Sequence, residues 1–114
     1  METLLIVGLG NPGKQYENTY HNMGFCAVDE LCQRLEDMFT KKECSAITCH
    51  TIFNDKKLII AKPQTYMNLS GEAVRELKQK YKIENSNIFV FCDDIDLPLG
   101  KVRLRHGGSV GTHN

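Results

Sequence analysis

Neither sign of charge is in excess: Lys plus Arg number 14 and Asp plus Glu number 14, so whole-chain charge points to no nucleic-acid partner. No apolar stretch approaches the ~18 residues a membrane-spanning helix needs. Residues 1–7 carry Glu2 and too short an apolar run for a secretory signal, so a cytoplasmic location is expected, or an organelle matrix after loss of a transit peptide. There is no Trp, no repeat, no linker and no low-complexity block. The cysteines, 26, 32, 44, 49 and 92, are odd in number and contain no C-x-x-C pair, which excludes a disulfide framework and a structural zinc site. Cys44, Cys49 and His50 are close in sequence, yet their spacing matches no metal motif; free thiols on or beside a strand are expected.

What is present is an ordinary globular composition, 41% apolar and 25% charged, over 114 residues, which predicts one domain spanning 1–114. Leu4-Leu5-Ile6-Val7 and Ile88-Phe89-Val90-Phe91 are continuous apolar runs, as strands buried on both faces show. From Asn22 to Phe39, the apolar residues Phe25, Val28, Leu31, Leu35 and Met38 recur at helical spacing between charged ones. Residues 46–53 and 58–62 read as a hairpin joined by Asn54-Asp55-Lys56-Lys57, with Pro63 ending its second strand. The spacing of Ala73, Val74, Leu77 and Tyr81 predicts a helix over 70–82, with Asn68 and Ser70 as candidate N-caps. Residues 101–105 alternate polar and apolar, as a half-exposed strand does. This order predicts an α/β fold, a twisted mixed β-sheet flanked by helices. In such sheets ligands gather beyond the carboxyl ends of strands.

Gly8-Leu9-Gly10-Asn11-Pro12-Gly13 imitates two cofactor loops. The dinucleotide pattern G-x-G-x-x-G is matched, with Asp29 and Glu30 near the distance of a ribose-binding acid. With Lys14 and Gln15 added, the stretch nearly fits a Walker A loop. Position 15 lacks the hydroxyl that a magnesium ion needs, and Pro12 has no N–H for a phosphate cradle. Helical periodicity starts only near Asn22, too late to aim a helix N-terminus at a pyrophosphate. Asp29 and Glu30 are expected on the surface of that helix. The expectation is therefore a tight turn after a strand, using glycine for positive φ.

Other residues carry chemistry. Asn11 follows one apolar strand, Asp93 follows another, and His21 precedes a helix. An imidazole oriented by a carboxylate is a general base. Amides such as those of Asn11, Asn68 and Asn114 both donate and accept hydrogen bonds without changing charge, which suits a peptide backbone or a developing oxyanion. Asp93, Asp94 and Asp96 cluster, and beyond Leu97 the only formal charges are Lys101, Arg103 and Arg105.

Four blocks carry a family resemblance: residues 4–13 with Tyr16-Glu17-Asn18-Thr19 and His21-Asn22-Met23-Gly24; Lys62-Pro63-Gln64-Thr65-Tyr66-Met67-Asn68-Leu69-Ser70-Gly71; residues 93–101; and Gly107-Gly108-Ser109 through His113-Asn114. In this order and spacing the chain resembles the bacterial-type peptidyl-tRNA hydrolases. The resemblance implies a monomeric cytoplasmic hydrolase of translation and ribosome rescue, binding tRNA and releasing peptide from peptidyl-tRNA without metal or cofactor. It implies His21 as the general base that activates water and Asp93 as the group that orients it. Asn11 and Asn68 would hold the peptide and the tRNA 3′ end, Met67 would line the cleft, and Tyr16 would join the substrate-binding set. Asn114 would stabilise the tetrahedral intermediate near the scissile carbonyl. Thr112 stands where the family usually has Gly, and Cys92 and Asp94 where His and Glu are common. Family members continue past the Asn matched by Asn114, so the chain is expected to lack the C-terminal part of the family fold. The alternative is a truncated, non-catalytic RNA-binding or interaction module of the same fold.

Overall fold

The computed structural model describes residues 1–10, 22–65, 69–93 and 102–106, with side chains through residue 92. Its centre is a run of three parallel strands: β1 (Thr3–Gly8), β4 (Lys56–Pro63) and β5 (Ile88–Asp93), with β1 between the other two. The pairings Val7 with Ala61 and Val7 with Val90 bring the three carboxyl ends to one edge. Antiparallel strands flank them: β3 (Ala46–Phe53) and β2 (Lys41–Glu43) beside β4, and β6 (Val102–His106) beside β5. The result is a six-stranded mixed sheet ordered β2-β3-β4-β1-β5-β6. The expected α/β class, with a mixed sheet and helices, is what is found.

Strand alternation divides the core between the two faces. Leu5, Val7, Ile59, Ala61, Ile88, Val90 and Cys92 pack with Val74 and Leu77 of α2 (Ser70–Tyr81). Ile6, Cys49, Ile60 and Phe91 pack with Val28, Leu31 and Cys32 of α1 (Met23–Arg34). Leu4 to Val7 of β1 form an unbroken apolar run because helices cover both faces of the sheet there. Burial, together with the Cys32 thiol alongside, pushes the Cys49 thiol up to about 12, so it stays protonated. The five cysteines are free thiols, with Cys44 in the β2–β3 turn and Cys49 on β3 as expected. Among the described residues no helix is long and apolar enough to cross a membrane.

Three local expectations change. The helix expected over 22–39 ends at Arg34. Glu36 takes φ 56°, its N–H donates to Gln33 C=O (2.9 Å), and Asp37 N–H donates to Cys32 C=O (3.1 Å). This is a Schellman ending with glutamate in the left-handed position, and it leaves Met38 exposed. α2 ends the same way: Lys82 has φ 54°, and Ile83 N–H donates to Lys78 C=O (2.9 Å). The β3–β4 hairpin has two turn residues rather than four, Asn54 and Asp55 at φ 51° and 63°, the geometry that matches strand twist. Finally, Ser70 does not cap α2. Leu69 occupies the N-cap without a side-chain bond, and Ser70 is buried in the first turn. The other cap candidate, Asn68, lies outside the described residues.

Candidate active site

The edge where β4, β1 and β5 end at Pro63, Gly8 and Asp93 is where the sequence hangs its candidate chemistry. Asn11 comes three residues after Gly8 and Asn68 five after Pro63, while Asp93 is itself the last residue of β5, paired through Cα with Val102 of β6. His21 directly precedes Asn22, the N-cap of α1. Asn11, Tyr16, His21, Met67, Asn68 and Asn114 lie outside the described residues.

The described atoms fix how closely the first turn of α1 approaches that edge. Leu9 N–H donates to Phe91 C=O (2.9 Å), extending the β1–β5 pairing one residue beyond Gly8. A Cβ on Gly8 would lie 2.3 Å from Gly24 O, and one on Gly24 would lie 2.4 Å from Leu9 O and 2.5 Å from Phe91 O. A Cβ on Gly10 would meet Asn22 Oδ1 at 2.7 Å and the Phe25 ring at 2.9 Å. Gly8 and Gly10 therefore serve close packing, and neither has positive φ. At these two positions this corrects the positive-φ reason expected from sequence, because the space is filled by this chain's own helix, while Gly13 lies outside the described residues.

A second tie joins β4 to α1. Lys62 Nζ lies 2.6 Å from Asp29 Oδ1 and 4.2 Å from the centroid of the Phe39 ring, with the Phe25 ring at 6.0 Å. The Lys62 side chain is only 19% exposed, so this pair is more protected from solvent than an ordinary surface bridge. Asp29 is thus engaged by lysine, and Glu30 pairs with Arg34 at 3.3 Å. Both acids sit on the exposed side of α1, as expected. At the start of α2, the hydroxyls of Thr65 and Ser70 are buried and find no hydrogen-bond partner among the described residues.

A polar cluster that the sequence did not reveal lies on the α2 face. The Glu43 side chain is 3% exposed. Its Oε1 accepts from Lys80 Nζ (2.8 Å) and from the Tyr81 hydroxyl; its Oε2 accepts from Thr48 Oγ1 (2.6 Å) and lies 2.7 Å from His50 Nε2. Burial alone would raise the Glu43 carboxyl. The bonds to Lys80, Thr48, Tyr81 and His50 outweigh burial and hold it well below the usual carboxylate range. Residues 41–50 and 80–81 meet here only through β-pairing and the path of α2, so no local sequence signal marks them. Beside the cluster, a groove of about 490 Å³ is lined by Lys42, Glu43, Ser45, Ala46, Ile47 and Gln64, none of them a candidate site residue. Among the described residues no group of three or more His, Cys, Asp or Glu is placed to hold a metal ion.

Known proteins share this fold and much of this sequence. A family model described as peptidyl-tRNA hydrolase matches residues 5–114. A peptidyl-tRNA hydrolase of Lacticaseibacillus casei (strain BL23) is 54% identical over 110 residues, which is 96% of this chain and 60% of that protein. One from Alkaliphilus metalliredigens (strain QYMF) is 50% identical over the same shares. The crystal structure of peptidyl-tRNA hydrolase from Acinetobacter baumannii superposes with a TM-score of 0.84 at 34% identity, over 97% of this chain and 57% of that one. The chain spans about 60% of the length of the curated relatives it matches.

Proposed function

The chain belongs to the peptidyl-tRNA hydrolase family, and from that membership we propose that it hydrolyses the ester joining a peptide to the 3′ ribose of tRNA. His21 removes a proton from water, and Asp93 holds the ring in the tautomer that accepts it. The water oxygen attacks the ester carbonyl. The Asn114 amide donates to the oxyanion of the tetrahedral intermediate. Its collapse breaks the bond to the ribose oxygen, which takes the proton back from His21. An ester leaves readily enough that no covalent intermediate is needed. Asn11 and Asn68 hold the peptide and the RNA 3′ end, with Tyr16 and Met67 lining the cleft. By the yardsticks of general-base and oxyanion catalysis, the base contributes about 10²–10⁴-fold and the oxyanion donor roughly 3 kcal/mol. The protein acts as a monomer in the cytoplasm, recycling tRNA from stalled translation.

The observation that supports this reading is topological. Asn11, Asn68 and Asp93 follow or close three adjacent parallel strands at one sheet edge, and His21 leads into a helix whose backbone is pressed onto two of them. Ligands of α/β sheets bind beyond such an edge. The test is His21→Ala in the 114-residue chain, assayed on N-blocked aminoacyl-tRNA, with circular dichroism to verify folding. The expected result is a folded protein with turnover down at least about 10²-fold; turnover near that of the unsubstituted chain would remove His21 as the base. A folded but inactive unsubstituted chain would instead favour the binding-module alternative.

A further inference from the structure

Two contacts of different kinds hold α1 against the sheet. At Gly24 the helix backbone is pressed onto Leu9 and Phe91, where an added Cβ would stand 2.4 Å and 2.5 Å from their carbonyl oxygens. Close packing limits approach but aims nothing. The second contact is directional: Lys62 Nζ donates to Asp29 Oδ1 at 2.6 Å. Asp29 comes five residues after Gly24, about 7.5 Å further along the helix, so the two contacts together set how α1 is turned. Lys62 also reaches toward the candidate segments through aromatic rings. Its ammonium lies 4.2 Å from the Phe39 ring centroid and 6.0 Å from that of Phe25. Phe25 is one turn before Asp29 on the same face of α1. The Phe25 ring in turn closes on Gly10, where an added Cβ would stand 2.9 Å from it and 2.7 Å from Asn22 Oδ1. Gly10 precedes Asn11, Asn22 follows His21, and Lys62 stands one residue before the end of β4.

Stability does not account for a lysine here. Val28, Leu31 and Cys32 already seat α1 on the sheet, and an apolar side chain beside the two rings would pack as well as an ammonium does. The Asp29 side chain is 52% exposed, and ion pairs open to water add little. Lys42 is level with Lys62 two strands away, about 10 Å at strand spacing, so among the described residues the pairing is with Asp29 alone. What the pair supplies is direction. A turn of about 10° moves a side-chain tip at the ~5–6 Å outer radius of a helix by about 1 Å, and a misplacement of about 1 Å lowers a catalysed rate by up to about 10²-fold. We propose that Lys62, paired with Asp29 and seated beside Phe25 and Phe39, is a positioning residue that sets the rotation of α1 and so aims the His21 segment and the Gly10 turn at the substrate. This role rests on the proposed function, in which His21 is the base.

The test combines rate, stability and a local signal. Lys62→Met, Asp29→Asn and Lys62→Arg are compared with the unsubstituted 114-residue chain by thermal unfolding, by kcat and KM on N-blocked aminoacyl-tRNA, and by NMR. Lys62→Met is expected to stay folded and to lower kcat by about 10-fold or more, with KM changed by less than about 2-fold. Asp29→Asn is expected to match it. The double variant Lys62→Met, Asp29→Asn is expected to fall no further than either, because the two side chains act as one unit. Lys62→Arg keeps the charge for the pair and the rings and is expected to retain most of the rate. Because the Phe25 ring lies against Gly10, the Gly10 amide signal reports the rotation of α1 through its ring-current shift. It is expected to move in Lys62→Met and Asp29→Asn and to stay near its original place in Lys62→Arg. An unchanged kcat, a loss confined to KM, additive losses in the double variant, unfolding of both single variants, or a fixed Gly10 signal would each overturn the inference. An unsubstituted chain without turnover fails the hydrolase reading alone; the Gly10 signal then decides the coupling by itself, supporting it by moving and overturning it by staying fixed.

Discussion

Replacing Gly24 by Ala sets two effects of opposite sign against each other. Alanine is the better helix former, by about 1 kcal/mol in a helix interior and by less at Gly24 in the first turn of α1, so an isolated view of α1 expects a small stabilisation. The structure argues otherwise. The new Cβ would sit 2.4 Å from Leu9 O, 2.5 Å from Phe91 O and 2.7 Å from Leu9 N, where ordinary contacts begin near 3.4 Å. All three obstacles are backbone atoms held by strand pairing, so no side chain can swing aside. The helix must lift by about 1 Å from β1 and β5. Overpacking by a single methyl costs about 1–3 kcal/mol, occasionally more, and an obstacle that cannot relax belongs at the upper end. Net destabilisation of about 2 kcal/mol follows, which lowers Tm by roughly 8 °C in a chain of this size. Thermal unfolding followed by circular dichroism measures it directly. A Tm equal to or above that of the unsubstituted chain would refute the steric argument. Because His21 immediately precedes this helix, hydrolysis measured well below both melting temperatures is expected to fall as well.

Glu43→Gln removes a charge that receives several hydrogen bonds, each worth about 1.5–3 kcal/mol when one partner is ionised, so a loss of about 2 kcal/mol or more is expected in urea unfolding. The folded Glu43 carboxyl titrates below its ordinary value of 4.5, so on acidification the unfolded chain takes up the proton first. The contribution is therefore complete at neutral pH and is lost as pH falls below about 4.5. The stability gap between the unsubstituted chain and Glu43→Gln is expected to narrow across that window; a constant gap would contradict the assignment. Lys82→Gly relieves a left-handed residue at a helix end and is expected to stabilise by about 0.5–1 kcal/mol, the strain relieved exceeding the extra entropy of the unfolded chain. A lower urea midpoint would count against it.

What could be read from sequence was whatever burial on both faces or a turn residue writes locally. β1 and β5 are legible because helices on both sides demand unbroken apolar runs. The end of α1 is not, because Leu35 and Met38 prolong the apolar spacing while the stop depends on Glu36 adopting φ 56°, a position usually marked by glycine. β2 is three charged residues, Lys41-Lys42-Glu43, that become a strand only because a tight turn folds them onto β3. At Gly8 and Gly10 the need for glycine is steric, and a single chain carries no local sign of what lies opposite Gly8, namely Gly24. The candidate residues came from motif blocks, and the strand order explains why those blocks follow strand ends. The Glu43 cluster stayed hidden because its members meet only after the sheet is assembled.

The shortness of β2 carries a cost in solution. It shields β3 only at Ala46, Ile47 and Thr48, so beyond these pairs no strand lies outside Cys49–Phe53 among the described residues. That open margin ends in Ile52 and Phe53, 64% and 51% exposed, in a segment rich in β-branched and aromatic residues. Unpaired amides flanked by greasy side chains are a template for a foreign strand. Asp55, Lys56 and Lys57 at the hairpin tip act as gatekeepers against such stacking, so concentrated preparations are most vulnerable to edge-to-edge aggregation wherever those charges are neutralised.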